Sequence, residues 1–233
     1  MKKWLMRILF LILFLGCCIV LFFFGKGYMM YRKAVDDISI AQKVEEIRAK
    51  ESYTALDDLP DLYLDAVISV EDRRFYSHGG FDWIATGRAI INDIRTLSFA
   101  EGGSTITQQL AKNMYFTQEK QIERKIAELF VAFDLERNYS KEEILELYVN
   151  SIYFGNGYYS IREASEGYFQ KSPSEMTDFE STLLAGIPNA PSAYALTKNP
   201  ELAKQRQRQV LNKMVEHGVL TESEADKIES SSP

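Results

Sequence analysis

The chain has 233 residues, of which 46% are hydrophobic and 26% are charged, enough for one membrane segment and one globular domain with a substantial core. The formal net charge of −6 argues against general nucleic-acid binding, so no nucleic-acid partner is expected. The two cysteines are adjacent in an apolar run and only two histidines are present, which argues against a disulfide, thiol chemistry or a His/Cys metal site elsewhere. Carboxylate ligation of Mg²⁺ or Mn²⁺ stays open.

An uncharged and almost wholly apolar run covers residues 8–24, with a short tail of residues 1–7 before it and basic residues on both sides. Such a run can just cross a bilayer and predicts a transmembrane anchor. The alternative is a cleaved signal peptide, but the run is longer than a typical signal core and no small-x-small cleavage site follows. The basic residues are nearly balanced, so charge leaves the orientation open.

The segment after the anchor, residues 25–59, is expected to be a stalk, with a charged helix from Lys33 to Lys50 that leaves the membrane. The globular domain is expected to cover residues 60–233. Helical periodicity and capping boxes recur there, at Ser140 and Thr177 for example, whereas alternating strands do not appear. The fold prediction is therefore mainly α, with helices at 81–97, from a glycine-rich turn to about 115, and at 122–136, 144–150, 161–169, 181–186, 202–217 and after 221.

Two adjacent carboxylates, Glu71 and Asp72, follow an apolar run at residues 66–70 and precede the glycine pair Gly79 and Gly80. The apolar run can bury one side of the segment, and the glycines can turn its end toward a cleft. That setting suits a carboxylate whose pKa is adjusted for base chemistry. The ordinary alternative is a helix end with a solvated Glu-Arg face.

A glycine-rich turn at residues 102–105 leads into a helix on which Gln108 and Lys112 share one face. Free backbone N–H groups and the positive end of the helix dipole favour an anion there. The lysine falls outside the spacing of a nucleotide P-loop. The alternative is an ordinary capped helix with a polar exterior.

A third cluster consists of Arg124, Lys125 and Glu128, which form one polar face roughly opposite an apolar stripe on the same helix. One interpretation is a surface ion pair that stabilises the helix by roughly a few tenths of a kcal/mol. The functional interpretation is a carboxylate held by two cations beside an anionic leaving group.

Five segments, in this order over about residues 60–215, resemble the five motifs of the peptidoglycan glycosyltransferases, glycosyltransferase family 51. Five ordered motifs are far more specific than any one of them. The matching segments are Glu71-Asp-x-x-Phe75-x-x-His78-x-Gly80, the Gly-Ser-Thr-Ile-x-Gln-Gln-Leu-x-Lys-Asn run at 103–113, Arg124-Lys125-x-x-Glu128-x-x-x-Ala132-x-x-Leu135-Glu136, Lys141-x-x-Ile144-Leu145-Glu146-x-Tyr148-x-Asn150 and Leu184-Ala185-Gly186-Ile187-Pro188-x-Ala190-Pro191-Ser192.

The resemblance implies a mainly α, lysozyme-like fold of two lobes around a cleft. It implies polymerisation of lipid II, a disaccharide-pentapeptide on undecaprenyl pyrophosphate, into β-1,4 glycan strands with inversion. The expected partners are then lipid II, the growing glycan strand, the cell membrane and other cell-wall synthesis proteins, with no required cofactor. It also implies a cytoplasmic N-terminus and an extracytoplasmic catalytic domain.

The resemblance makes Glu71 the base that takes the proton of the acceptor's 4-hydroxyl group. Cations would stabilise the charge that grows on the leaving diphosphate, a role expected of Lys112, Arg124, Lys125 and Lys171. Glu128 would orient these cations, hold a divalent metal or assist at the diphosphate. Sugar and phosphate contacts are expected from Asp72, Phe75, Arg88, Ser104, Gln108, Gln109 and Asn113.

Three loop positions depart from the family pattern: Ser160 and Gln170 stand where glycines are usual, and Leu196 stands near a usual proline. No Ser-x-x-Lys or Lys-Thr-Gly motif follows, so we expect a monofunctional enzyme without a transpeptidase domain. One rival is a muramidase or lytic transglycosylase, which needs a carboxylic acid but no basic diphosphate site. The other is a non-catalytic, membrane-anchored scaffold that binds lipid II.

Overall fold

The computed structural model describes residues 2–96, 103–117 and 121–231, and the side chains within these ranges apart from those of residues 2, 90 and 93–96. Helices dominate these ranges, which contain no strand and one isolated bridge, between Gly79 and Phe81. The predicted mainly α fold is confirmed. The expected turn at residues 102–105 lies partly outside the described residues.

Twelve α-helices make up the described part of the chain. They are α1 (Lys2–Asp37), α2 (Ile40–Arg48), α3 (Asp61–Glu71), α4 (Trp83–Thr96), α5 (Ile106–Tyr115), α6 (Ile122–Asn138), α7 (Lys141–Val149), α8 (Ile161–Phe169), α9 (Asp178–Gly186), α10 (Pro191–Tyr194), α11 (Pro200–Glu216) and α12 (Glu222–Ser230). Short 3₁₀ turns lie at Leu56–Asp58, Phe75–Ser77, Pro173–Glu175 and Ile187–Asn189.

Capping boxes begin several of these helices, as the sequence indicates. The predicted boxes at Ser140 and Thr177 are both present, at the starts of α7 and α9. A further box at Thr105 begins α5, where the Gln108 side chain accepts from the backbone N–H of Thr105. Each box satisfies N–H groups that a helix start leaves unpaired. Local side-chain chemistry therefore sets where these helices begin.

The N-terminal helix α1 is longer than the predicted anchor and continues to Asp37. Among the described residues it is the helix long and apolar enough to cross a membrane. The single helix predicted from Lys33 to Lys50 is wrong, because the chain breaks at Ser39, which caps α2 through a box with Gln42. Val44 and Ile47 of α2 are buried in the core, so this part of the stalk packs onto the domain.

The core lies where α3, α9 and α11 pack together and where α5 packs on α6 and α7. Tyr63 of α3, Tyr148 of α7 and Phe75 after α3 are among its largest fully buried side chains. Burial of this apolar surface is the main stabilising contribution. The packing brings the end of α3 against α5, which carry the first two candidate clusters.

On α6 a charged residue is buried and an apolar residue is exposed, the reverse of the pattern on an ordinary surface helix. Glu128 is completely buried, whereas Ile122 is 60% exposed. The ring of Phe130, on the apolar side, stacks on Tyr31 of α1 at 5.3 Å. The Arg124 and Glu128 side chains therefore point into the domain, whereas the Lys125 side chain stays 47% exposed. The interpretation of this cluster as a surface ion pair is wrong for its buried carboxylate.

The three departures from the family pattern have separate structural explanations. Ser160 is the N-cap of α8, and its hydroxyl accepts from the backbone N–H of Glu163. Leu196 packs against the core. Gln170 ends α8 with φ +58°, a left-handed conformation that glycine adopts more easily.

Replacing Gln170 by glycine should raise the free energy of unfolding by about 1 kcal/mol, because the left-handed conformation then carries no Cβ penalty. The measurement is denaturant-induced unfolding of the detergent-solubilised protein. Gln170→Ala is the matched control, since it removes the same side-chain atoms but keeps Cβ. If the alanine variant gained as much stability as the glycine variant, backbone strain at this position would not be the cause.

Candidate active site

The carboxylate of Glu71 lies at the C-terminal end of α3, and one of its two oxygens is held by a hydrogen bond. The Gln109 amide donates to its Oε2 at 2.6 Å, while its Oε1 is buried without a hydrogen-bond partner among the described residues. Burial raises the pKa of Glu71, opposed by the Gln109 hydrogen bond and by the charges of Arg206 and Lys112. One oxygen is therefore oriented and the other is left to accept a proton.

The neighbouring carboxylate, Asp72, is buried and hydrogen-bonded to groups inside the protein. His78 Nε2 lies 2.8 Å from its Oδ1, and the backbone N–H of Ile106 donates to its Oδ2 at 3.1 Å. Ile106 is the first residue of α5, so the negative charge also sits at the positive end of that helix. Asp72 thus ties the first motif to the helix that carries Gln109 and Lys112.

The turn after the first motif packs tightly on α5 and α6. Gly80 has φ +76°, and a Cβ there would lie 3.2 Å from the carbonyl oxygen of Ala132. The Thr105 hydroxyl donates to the Gly80 carbonyl at 2.8 Å. A larger residue would meet both backbone strain and α6, which accounts for glycine at this position.

A second buried carboxylate, Glu128, is paired with two cations on its own helix. The Arg124 guanidinium donates to its Oε1, and the Lys125 ammonium lies 2.8 Å from its Oε2. Lys125 also donates to the Ser104 hydroxyl at 2.7 Å, which joins the third motif to the second. Arg124 Nε is buried with no partner among the described groups, so part of its donor capacity is not used. Two positive charges against one carboxylate leave the cluster with a net positive charge.

Lys112 connects the two carboxylate sites. It is half-buried on α5, and burial lowers the pKa of its ammonium group. The charges of Glu128 and Glu71 act in the opposite direction, and those of Lys125 and Arg124 add to the lowering. Lys112 is therefore within electrostatic range of both sites, as expected if Glu71, Lys112 and Arg124 border one cleft.

The other predicted site residues divide into buried and accessible groups. Phe75 is fully buried, with the Lys141 ammonium 4.4 Å above its ring, so its side chain packs rather than faces a ligand. Gln108 is buried in the capping box of α5. Arg88 is exposed on α4 and Asn113 is half-buried on α5.

Lys171 is placed differently from the other predicted cations. Its ammonium lies 2.8 Å from a carboxylate oxygen of Glu180, which is part of the capping box of α9. Its carbonyl accepts from the Ser165 hydroxyl at 2.8 Å. These contacts fix the loop between α8 and α9 and join Lys171 to neither Glu71 nor Glu128.

Two residues near Glu71 were missed by the sequence analysis. Arg206 of α11 lowers the pKa of Glu71 by its charge, and Gly186 of the fifth motif leaves room for it, because a Cβ there would lie 2.9 Å from its Cγ. The Tyr148 hydroxyl lies 3.5 Å from Gln109 Oε1. Arg206 lies on α11, after the last motif, so no motif spacing in the sequence points to it. Tyr148 lies in the fourth motif, most of which reads as structural.

Metal binding at Glu128 does not fit this arrangement, because both carboxylate oxygens already pair with cations. Asp72, His78 and Asp82 place three candidate ligand atoms within 4.8 Å of one another. Their oxygens are also in use: Asp82 accepts from Arg74 and from the backbone N–H of Ala85, in addition to the Asp72 contacts above. A divalent ion at either place would have to displace these donors.

Comparison with known proteins gives a consistent result. A family model described as Transglycosylase matches residues 37–215. Penicillin-binding protein 1A of Neisseria flavescens is 43% identical over 178 residues, 76% of this chain and 22% of that protein. Penicillin-binding protein 1F of Bacillus subtilis is 44% identical over 171 residues, 73% of this chain and 24% of that protein.

A crystal structure of penicillin-binding protein 1A from Haemophilus influenzae is similar at 21% identity with a TM-score of 0.47, covering 78% of this chain and 17% of that one. The chain spans less than a quarter of the length of the two curated relatives. The matched part includes the Glu71 carboxylate, the Glu128 cluster and the α5 helix between them. The chain belongs to the transglycosylase family, glycosyltransferase family 51.

Proposed function

We propose that the chain is a peptidoglycan glycosyltransferase that polymerises lipid II into β-1,4 glycan strands with inversion and releases undecaprenyl pyrophosphate. The observation that carries this proposal is a carboxylate and a positive cluster tied to the same helix region. Gln109 of α5 donates to Glu71, and Lys125 of the Glu128 cluster donates to Ser104, two residues before α5. The transfer has two demands, a base for the attacking hydroxyl and positive charge for the leaving diphosphate. Membership of the family supports the same assignment.

Glu71 acts as the general base. A sugar hydroxyl is a poor nucleophile, so its proton must leave as the new bond forms. The free Oε1 accepts that proton, while Gln109 holds Oε2 in place. The raised pKa of Glu71 makes its carboxylate a stronger base than an exposed glutamate.

The positive cluster stabilises the diphosphate as its bond to the anomeric carbon breaks. Lys112, Arg124 and Lys125 supply the charge, with Ser104 held beside them. Glu128 positions the two cations of its own helix. The step is balanced: the acceptor oxygen bonds to the anomeric carbon, its proton goes to Glu71, and the diphosphate leaves with the bonding electrons. No metal is assigned to this step.

Membrane attachment through α1 would keep the cleft close to a lipid-linked substrate and raise its effective concentration. We place the N-terminus in the cytoplasm and the catalytic domain on the extracytoplasmic side of the membrane. Lipid II and the growing strand are the proposed partners, and other cell-wall synthesis proteins are proposed to bind the enzyme on that side. A muramidase would have no use for the cations around Glu128, which favours the synthetic reaction.

Replacing Glu71 by glutamine should lower the rate of lipid II polymerisation by about 10²-fold to 10⁴-fold, the usual contribution of a general base. Glutamine keeps the shape of the side chain but cannot take the proton. The rate is measured by gel separation of labelled glycan strands, with lipid II binding measured separately and expected to persist. Wild-type protein is also incubated with purified glycan strands, which should remain intact.

The matched control is Asp65→Asn, an exposed carboxyl on the same helix, which should polymerise at the wild-type rate. Full polymer yield from Glu71→Gln would reject the base assignment. Cleavage of glycan strands without polymer formation by the wild type would reject the proposed reaction in favour of the muramidase.

Replacing Gln109 by leucine should move the acidic limb of the pH–rate profile upward by about one pH unit. The Gln109 hydrogen bond lowers the pKa of Glu71, so its loss raises that pKa further. The base works only when ionised, and activity is lost as the pH falls through its pKa. Gln205→Leu, at an exposed position on α11, is the control and should leave the limb in place. An unmoved limb in Gln109→Leu would mean that another group titrates.

Replacing Lys112 by methionine should lower kcat by about 10²-fold to 10³-fold and affect acceptor binding less, because the lost charge acts mainly on the transition state. Steady-state kinetics of lipid II consumption measure both parameters. Lys227→Met, at an exposed lysine of α12, serves as the charge-matched control. Equal kcat values for the two variants would remove Lys112 from the leaving-group role.

A further inference from the structure

The part of α1 beyond its apolar run packs along α6, on the face opposite the cation cluster. Gly27 is buried, and a Cβ built there would lie 2.5 Å from Cβ of Ile126 and 2.9 Å from the Glu123 carbonyl oxygen. Real Cβ atoms do not approach so closely, so no residue larger than glycine fits without moving one of the two helices. Gly27 therefore sets the distance between the helix axes.

Polar contacts on both sides of Gly27 lock the two helices together. Lys26 forms an ion pair with Glu123 at 2.7 Å, near the start of α6. The Tyr31 hydroxyl donates to the Asp134 carboxylate, three turns farther along the same helix. The contacts span most of α6, so they restrain its tilt as well as its distance from α1.

An aromatic cluster occupies the space between these polar contacts. The ring of Phe130 lies 5.3 Å from each of the rings of Phe24, Tyr28 and Tyr31. Edge-to-face and stacked rings each add about 0.5–1.5 kcal/mol beyond the burial of their area. The interface is thus closely packed, in contrast to the mostly exposed residues 8–22 before it.

Ile126, the residue that Gly27 contacts, lies on the same turn of α6 as Arg124 and Lys125 and half a turn before Glu128. Any shift of α6 at Ile126 must therefore shift the cations relative to Glu71, which sits on α3. A displacement of about 1 Å in a catalytic geometry can cost 10²-fold in rate.

We propose that Gly27 is a positioning residue for the glycosyl transfer: through Ile126 it holds α6 at the depth where Arg124 and Lys125 reach the leaving diphosphate. The inference rests on the proposed function. It makes the membrane anchor a part of the catalytic architecture in addition to a tether.

The test compares Gly27→Leu with Gly25→Leu in the full chain. Gly25 lies two residues away on α1 and a Cβ there meets nothing within 4 Å, so it is a matched control for leucine in this helix. Gly27→Leu should lower kcat for lipid II polymerisation by about tenfold to a hundredfold with KM changed by less than about threefold, while Gly25→Leu keeps wild-type kinetics. Equal kinetics in the two variants would overturn the proposal.

Rescue separates positioning from general damage. Gly27→Ala should reduce kcat by a smaller factor. Ile126→Gly in the same chain should recover part of the loss, because the two Ile126 atoms that oppose the new methyl group are then gone and only the Glu123 carbonyl oxygen remains close. Ile126→Gly alone completes the cycle, and thermal unfolding identifies folded variants. If Gly27→Leu is unfolded, the alanine cycle decides. Absence of rescue in a folded double variant would contradict the proposal.

A readout independent of turnover keeps this inference distinct from the proposed reaction. Inorganic pyrophosphate binding, measured by calorimetry, should weaken in Gly27→Leu and stay at the wild-type level in Gly25→Leu. A wild-type protein that binds pyrophosphate but does not polymerise lipid II would reject the proposed function alone. Unchanged pyrophosphate affinity in folded Gly27→Leu would reject the positioning role.

Discussion

The hydrogen bond from Gln109 to Glu71 is the interaction on which the site depends, because it fixes a buried carboxylate to the helix that also carries Lys112. The start of α5 is fixed in turn, by its capping box at Thr105 and by the Asp72 carboxylate at the N–H of Ile106. One short helix thereby orients the Glu71 carboxylate and carries the Lys112 ammonium group. A buried charge is costly unless neighbouring groups compensate it, and here those neighbours are the groups to which the proposed reaction assigns a role.

Helix α6 also joins two parts of the structure, because its two faces contact different elements. The inner face carries Arg124, Lys125 and Glu128, and the outer face packs on α1 through Ile126 and Phe130. Helix α1 therefore covers part of the apolar side of α6, while Ile122 and Phe133 stay exposed. The proposed leaving-group site is thus carried by the helix that packs directly against α1.

Much of this arrangement was predictable from the sequence, and the rest depended on distant contacts. Capping boxes such as those at Ser140 and Thr177 are local patterns, so these caps were predicted correctly, although the two helices begin three residues earlier than predicted, at Lys141 and Asp178. The break at Ser39 was missed, although it is also a capping box, because charged residues there suggested one continuous helix. Exposure was harder to predict, since the amphipathic pattern of α6 does not say which face meets solvent. Arg206 could not be found, because only tertiary packing brings α11 to Glu71.

The central claim is that Glu71 and the cation cluster act at the two ends of one transferring bond. The most direct measurement is a structure of this protein with a non-reactive lipid II analogue bound. The account predicts the diphosphate oxygens within about 3 Å of the Lys112 and Arg124 nitrogens and the acceptor's 4-hydroxyl within hydrogen-bonding distance of Glu71. A diphosphate bound away from these cations, or an acceptor hydroxyl that Glu71 does not reach, would contradict it.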